Sequence, residues 1–261
     1  MKKIKILNKN FSKPISCLTA YSPSIANILD GKIDLILVGD SIGSTLYGMN
    51  NTQGVTMDMM KNHGAAVNKA IKKSLKVLDM PYKTYDNKID AYKNAKILLN
   101  HCRPDLLKIE ISEKKLVVLK HLVDKKVNVI SHIGVTPQSY KNFNKIKVLG
   151  KTNKERQNLL ELAKESETLG AKAVLLECVT TDTAKLITEN ISIPTIGIGA
   201  SKYCDGQVLV FDDLINLTTN DKKPKFVKNY FNFNKVVSKV VKKYNQEVKL
   251  KKFPSTKFTY N

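Results

Sequence analysis

Four carboxylates and an imidazole close successive apolar runs in this chain. Asp40 follows Leu35-Ile36-Leu37-Val38-Gly39, Asp79 follows Leu75-Lys76-Val77-Leu78, and Glu110 follows Leu106-Leu107-Lys108-Ile109. His132 follows Val127-Asn128-Val129-Ile130-Ser131, and Glu177 follows Ala173-Val174-Leu175-Leu176. A single acid in such a place commonly caps the next helix or pairs with a lysine. Three on consecutive runs are harder to explain that way: hard oxygen ligands side by side, with room for water and a bidentate substrate, suit Mg²⁺. Lys108 lies two residues before Glu110, so in an extended chain both point to one side. Its ammonium would neutralise a bound carboxylate or a developing enolate. Ser41 offers a hydroxyl, to a ligand or equally to a helix cap. Glu177, expected across from the three acids, is the candidate general base. His132 is balanced between touching substrate and a structural role.

Positioning these groups requires a fold that brings strand ends together. Apolar runs of four to eight residues that stop at a charge are expected of buried parallel strands. Eight are expected: 15–21, 35–39, 75–79, 106–111, 127–132, 173–178, 195–199 and 207–210. Helical spacing alternates with them at 24–29, 58–74, 88–102, 116–124, 152–169 and 181–189. Thr152 with Glu155 spells a capping box, and Gly170 a C-terminal stop. The segment 40–56 is expected to be a long functional loop. The alternation favours an α/β protein, a single (β/α)₈ TIM-barrel domain spanning 1–261. Its barrel would occupy about 15–217, with a C-terminal helical extension over about 224–261. Barrel strands deliver their C-terminal tips to one face, where such enzymes carry out their chemistry.

Composition excludes several other classes. No stretch approaches the length of a membrane span. The start, Met1-Lys2-Lys3-Ile4-Lys5-Ile6-Leu7, lacks the long apolar segment and cleavage site of a leader, so a cytoplasmic location is expected. Cys17, Cys102, Cys178 and Cys204 show no metal-type spacing and are expected to be reduced structural thiols. The net charge of +21 comes almost wholly from dispersed lysine, with arginine at 103 and 156. Nucleic-acid surfaces favour clustered arginine or interleaved aromatics, so no specific nucleic-acid partner is expected. Ile196-Gly197-Ile198-Gly199-Ala200-Ser201 does not complete a dinucleotide-binding fingerprint.

Several segments, taken together and in order, resemble the ketopantoate hydroxymethyltransferase family. They are Leu18-Thr19-Ala20-Tyr21, Leu37-Val38-Gly39-Asp40-Ser41, Asp79-Met80-Pro81, Lys108-Ile109-Glu110 and His132-Ile133-Gly134-Val135-Thr136-Pro137-Gln138-Ser139. Leu175-Leu176-Glu177-Cys178-Val179, Ile193 to Ala200 and Cys204 to Val210 continue the likeness, which spans about 15–253. The resemblance implies a (β/α)₈ barrel and hydroxymethyl transfer from 5,10-methylenetetrahydrofolate, a cosubstrate, to 3-methyl-2-oxobutanoate. It further implies Asp40, Asp79 and Glu110 as Mg²⁺ ligands, directly or through water. Asp40, Ser41, Asp79 and Lys108 would contact the 2-oxoacid, and Glu177 would accept the proton. Large homo-oligomers are common in the family. Departures from its pattern fall at Ser22, in Tyr47 to Gly54, and at Lys145-Ile146-Lys147-Val148. Two other readings compete. One is a Mg²⁺-dependent C–C lyase or mutase of the phosphoenolpyruvate mutase and isocitrate lyase kind, although the cysteine-centred loop motif usual there is missing. The other is a catalytically inactive basic binding protein.

Overall fold

The computed structural model of the chain describes residues 6, 7, 9, 13–142, 146–217 and 224–260. Met1 to Lys5, compared above with a leader, lie outside the described residues, as do Lys145 and the expected barrel–tail boundary at 218–223. The chain divides into two compact units, 1–210 and 211–261.

The first unit runs β1 Ile15–Thr19, α1 Pro23–Leu29, β2 Leu35–Val38, α2 Ile42–Thr45, α3 Met57–Ala70, β3 Leu75–Asp79, α4 Lys88–Cys102, β4 Leu106–Glu110 and α5 Leu116–Asp124. It continues with β5 Val129–Gly134, α6 Asn153–Thr168, β6 Ala173–Glu177, α7 Thr181–Asn190, β7 Thr195–Ile198 and β8 Gly206–Leu209. Every strand pairs in parallel with its successor, and β8 returns to β1 with Ile15 opposite Gly206, closing an eight-stranded barrel. The expected (β/α)₈ architecture is therefore present.

Side-chain alternation explains how the barrel presents its chemistry. Its filled interior takes Leu75 and Val77 from β3, Leu106 from β4, Ile130 from β5, and Ala173 and Leu175 from β6. Because side chains on a strand repeat every two residues, the same columns continue to Asp79, Lys108 and Glu110, His132 and Glu177. On β2 the column runs Leu35, Leu37, Gly39. A side chain at Gly39 would begin 3.1 Å from the Ser41 hydroxyl and 3.4 Å from an Asp79 carboxylate oxygen, so the missing side chain chiefly leaves room for Ser41. Asp40 stands one residue further, outside the column.

Local chemistry sets the helix starts. Asn87 accepts from the N–H groups of Ile89 and Asp90 to begin α4, and the Thr152–Glu155 capping box is formed at α6. Gly170 follows α6 with φ of 94°, a left-handed position that suits glycine. Three expectations are corrected. Strand β5 covers 129–134 rather than 127–132, because the Val127 N–H bonds back to Leu122 O at the end of α5. Gly134, at φ 92°, then carries the strand into register with Glu177. The segment 40–56 is not wholly irregular; it contains α2 and a 3₁₀ turn at Thr52–Gly54. The tail helix begins only at Phe233, where Asn232 caps the Lys235 N–H.

In the second unit α8 is Phe211–Leu214 and α9 is Phe233–Lys249. Helix α9 exposes Val236, Val237, Val240, Val241, Tyr244 and Val248 at helical spacing. No described helix is long and apolar enough to cross a membrane.

Candidate active site

At the C-terminal ends of β2, β3, β4 and β5 lies a buried polar group. Lys108 Nζ sits 3.0 Å from Asp79 Oδ1 and 3.3 Å from His132 Nδ1. Asp79 Oδ2 accepts the Asp40 N–H at 2.9 Å. Glu110 Oε1 is 4.0 Å from His132 Nδ1, and the other imidazole nitrogen is 3.4 Å from Glu177 Oε2. Asp40, Asp79, Lys108, Glu110 and His132 are all buried, whereas the Glu177 side chain is 18% exposed. The pairing of Gly134 with Glu177 is tight, since a side chain at Gly134 would begin 2.4 Å from Glu177 O. Only glycine permits β5 to hold Glu177 there.

Burial and crowding shape the charges. Burial, reinforced by the charge of Asp40, lifts the Asp79 carboxyl to about 7 although Lys108 pulls the other way. Burial and Asp40 also hold Glu110 well above the usual carboxylate range. Burial alone would lower Lys108, but Asp79, Asp40 and Glu110 reverse this and keep its ammonium protonated. Burial first, and Lys108 second, depress His132, so the imidazole is held neutral between ammonium and carboxylate. The four cysteines carry no disulfide. Burial raises their thiols, furthest at Cys17, and at Cys178 to about 12 and Cys102 to about 11. That agrees with inert structural thiols.

Several groups were not singled out from sequence. Gln138, in a 3₁₀ turn at Pro137–Ser139 after β5, donates from Nε2 to Asp40 Oδ2 at 2.8 Å and to Met80 O at 3.0 Å. Its backbone N–H donates to Glu110 Oε1 at 3.0 Å. The buried Tyr85 hydroxyl donates to Gln138 Oε1 at 2.5 Å and accepts the Glu110 N–H at 3.2 Å. From the loop 46–56, Gln53 Nε2 reaches Gln138 O at 2.8 Å and Asn51 Nδ2 reaches Lys141 O at 3.0 Å. Ser41 occupies the N-cap position of α2 without capping it. Its hydroxyl is instead 2.7 Å from the Tyr21 hydroxyl. Ser22, a departure from the family pattern, caps α1 by accepting from Ile25 N–H.

Among the described residues, no three His, Cys, Asp or Glu side chains gather closely enough to hold a metal by themselves. The oxygen donors still fit a hard cation that retains water, since Mg²⁺ commonly takes one or two carboxylates plus water and substrate oxygens. Asp40 and Glu110 each commit one oxygen to Gln138, and among the described residues nothing donates to the other. Asp79 Oδ1, buried, has the Lys108 ammonium beside it but no aligned hydrogen bond.

The sequence profile described as Ketopantoate hydroxymethyltransferase matches residues 2–256. The chain belongs to that family. A 3-methyl-2-oxobutanoate hydroxymethyltransferase of Pelagibacter ubique (strain HTCC1062) is 46% identical over 260 residues, covering 98% of this chain and 99% of the relative. One of the same description from Rhizobium rhizogenes (strain K84 / ATCC BAA-868) is 41% identical, covering 95% of this chain and 91% of the relative. Ketopantoate hydroxymethyltransferases being enzymes, the inactive binding-protein reading falls away. Solved structures similar to the chain include phosphonopyruvate hydrolase in complex with oxalate and Mg++ (TM-score 0.62, 10% identity, 98% of this chain and 92% of that one). Another is 2,3-dimethylmalate lyase, a PEP mutase/isocitrate lyase superfamily member (TM-score 0.58, 11% identity, 96% and 88%). At such identity the likeness carries the barrel alone, and the sequence relatives favour hydroxymethyl transfer over the lyase or mutase reading.

Proposed function

We propose that the enzyme transfers a hydroxymethyl group from 5,10-methylenetetrahydrofolate to 3-methyl-2-oxobutanoate, giving 2-dehydropantoate for pantothenate biosynthesis. The observation that carries this reading is the contrast at the barrel mouth. A partly exposed Glu177 faces, across one neutral imidazole, a buried ammonium with three acids. Lys108, with Asp40, Ser41 and Asp79, would hold the oxoacid's carboxylate and 2-oxo oxygens. Asp40, Asp79 and Glu110 would hold Mg²⁺, directly or through water. When bound, the cation would supply electron withdrawal from the 2-oxo group.

The chemistry of the chain's own groups follows. Glu177 takes the proton from C3, with the His132 imidazole 3.4 Å from its carboxylate. The carbon so freed attacks the one-carbon unit, which stays at the formaldehyde oxidation level. Water supplies the hydroxyl oxygen, and tetrahydrofolate leaves. Lys108, already charged, balances the negative charge that gathers on the oxoacid. The same reading takes the enzyme as cytoplasmic and homo-oligomeric, and the exposed valine stripe of α9 is an apolar surface suited to self-association.

Deuterium exchange at C3 of 3-methyl-2-oxobutanoate, followed by NMR with Mg²⁺ and no folate, tests the proposal. Wild type is expected to exchange, and EDTA or Glu177→Gln to abolish it, with turnover lowered by about 10²–10⁴-fold in the variant. Exchange that persists in Glu177→Gln would remove Glu177 as the base. Failure of wild type both to exchange and to form 2-dehydropantoate with methylenetetrahydrofolate would sink the whole reading.

A further inference from the structure

We infer that Gln138 is the positioning residue that aims the Asp40 and Glu110 carboxylates into the reaction centre, an inference that rests on the function proposed above. Residue 138 is buried and every polar group it owns is engaged. Both Nε2 protons go out, to Asp40 Oδ2 and Met80 O. The backbone N–H goes to Glu110 Oε1, and the backbone carbonyl receives Gln53 Nε2. Oε1 receives the Tyr85 hydroxyl, whose oxygen in turn takes the Glu110 N–H.

The orientation of this amide is determined by its neighbours. Turned over, Oε1 would face the Asp40 carboxylate and the Met80 carbonyl, two acceptors, and lose the Tyr85 proton. The amide therefore points one way, and each acid has one defined oxygen held from behind. What remains unbonded among the described residues, Asp40 Oδ1 and Glu110 Oε2, is the pair of oxygens left to serve a ligand. Gln138 does this from the segment after β5, while its partners come from the ends of β2, β3 and β4 and from the loop 46–56. Aim of the acids is thus coupled to the seating of that turn. Outer partners of ligating carboxylates act in this way, orienting groups without touching substrate.

The test compares Gln138→Met, Tyr85→Phe and Asn51→Ala in the full chain. Asn51→Ala removes the bond to Lys141 O and the cap on the Gln53 N–H, both in the same two loops, without touching an acid. Mn²⁺ affinity would be read by EPR, alongside KM and kcat for the 2-oxoacid and the thermal midpoint. Gln138→Met is expected to weaken Mn²⁺ binding by about 10–100-fold and to lower kcat, while Asn51→Ala binds as wild type does. Tyr85→Phe is expected to shift affinity the same way by less. A folded Gln138→Met protein with wild-type Mn²⁺ affinity and kcat would overturn the inference. Should that variant not fold, Tyr85→Phe decides, and unchanged affinity there overturns it equally. If wild type itself neither binds Mn²⁺ nor turns over, the functional reading fails and takes the inference with it.

Discussion

The barrel uses aspartate at both of its ends, to opposite purpose. At the strand starts, Asp34 precedes β2 and accepts the Ser16 N–H of β1. Asp105 precedes β4 and accepts the Lys76 N–H of β3, and Asp205 precedes β8 and accepts the Thr195 N–H of β7. Three of the barrel's odd–even strand pairs are thus stitched by one acid each. Asp30 does similar work, accepting from Lys72, Lys73 and Ser74 just before β3. Although burial works against them, those backbone donors hold its carboxyl below the ordinary value. At the strand ends, Asp79 and Glu110 are pushed upward instead, by burial and by the charge of Asp40. Satisfied acids stabilise the fold. Crowded acids with oxygens left over are destabilised until something binds, which is the usual mark of a functional site.

Three perturbations separate the two ends. The largest effect is expected from Lys108→Met, which leaves the buried acids with no counter-charge. At about pH 8, above the value of about 7 at Asp79, metal-free protein should lose about 3–5 kcal/mol in urea unfolding, together with all turnover. A loss no greater than that of a surface substitution would show that the acids are not held charged. Next is Asp30→Ala, expected to cost about 0.5–1.5 kcal/mol through the backbone hydrogen bonds it gives up. Its kcat/KM should stay at the wild-type level, and a fall without a fall in stability would break the distinction between the ends.

The smallest and most telling effect is a pH dependence with opposite signs. Asp79 has its pKa raised from 3.8 to about 7, so the fold favours its protonated form. That contribution is complete below about pH 4 and lost as pH rises through about 7. Asp30, lowered from 3.8, contributes above that value and loses its contribution as pH falls. In chelator-treated protein, Asp79→Asn should therefore gain on wild type between pH 4 and 7. The deficit of Asp30→Ala should instead shrink as the solution is acidified. Parallel curves for the two variants would contradict the comparison.

Much of the upper end was legible in the sequence. Asp79, Lys108, Glu110, His132 and Glu177 continue the period-two columns that fill the barrel, so an apolar run and its terminal charge already specify which side each group takes. The Thr152–Glu155 cap and the spans of α4 and α5 were legible for the same reason, being decided within a few residues. Ser41 was less so. Its N-cap position was readable, but the choice of Tyr21 as partner over the helix depends on a residue just past β1, 20 positions earlier. The end of β5 was misplaced by two residues, because Val127 is claimed by the preceding helix and Gly134 by Glu177.

Tertiary structure alone decided the rest. Gln138 is a neutral residue in a short turn, and it matters only because folding brings it to Asp40, 98 positions away. Tyr85 looks like any aromatic near a helix start until its hydroxyl is found between Gln138 and Glu110. The acids at the strand starts look in sequence like those at the strand ends. The sequence by itself determined the alternation of strands and helices, and hence the barrel and the columns that carry its charges. Which acids are satisfied and which are left to react was decided by contacts between strands and loops far apart in the chain. No local pattern encodes those contacts, since each depends on where the closed sheet places its neighbours.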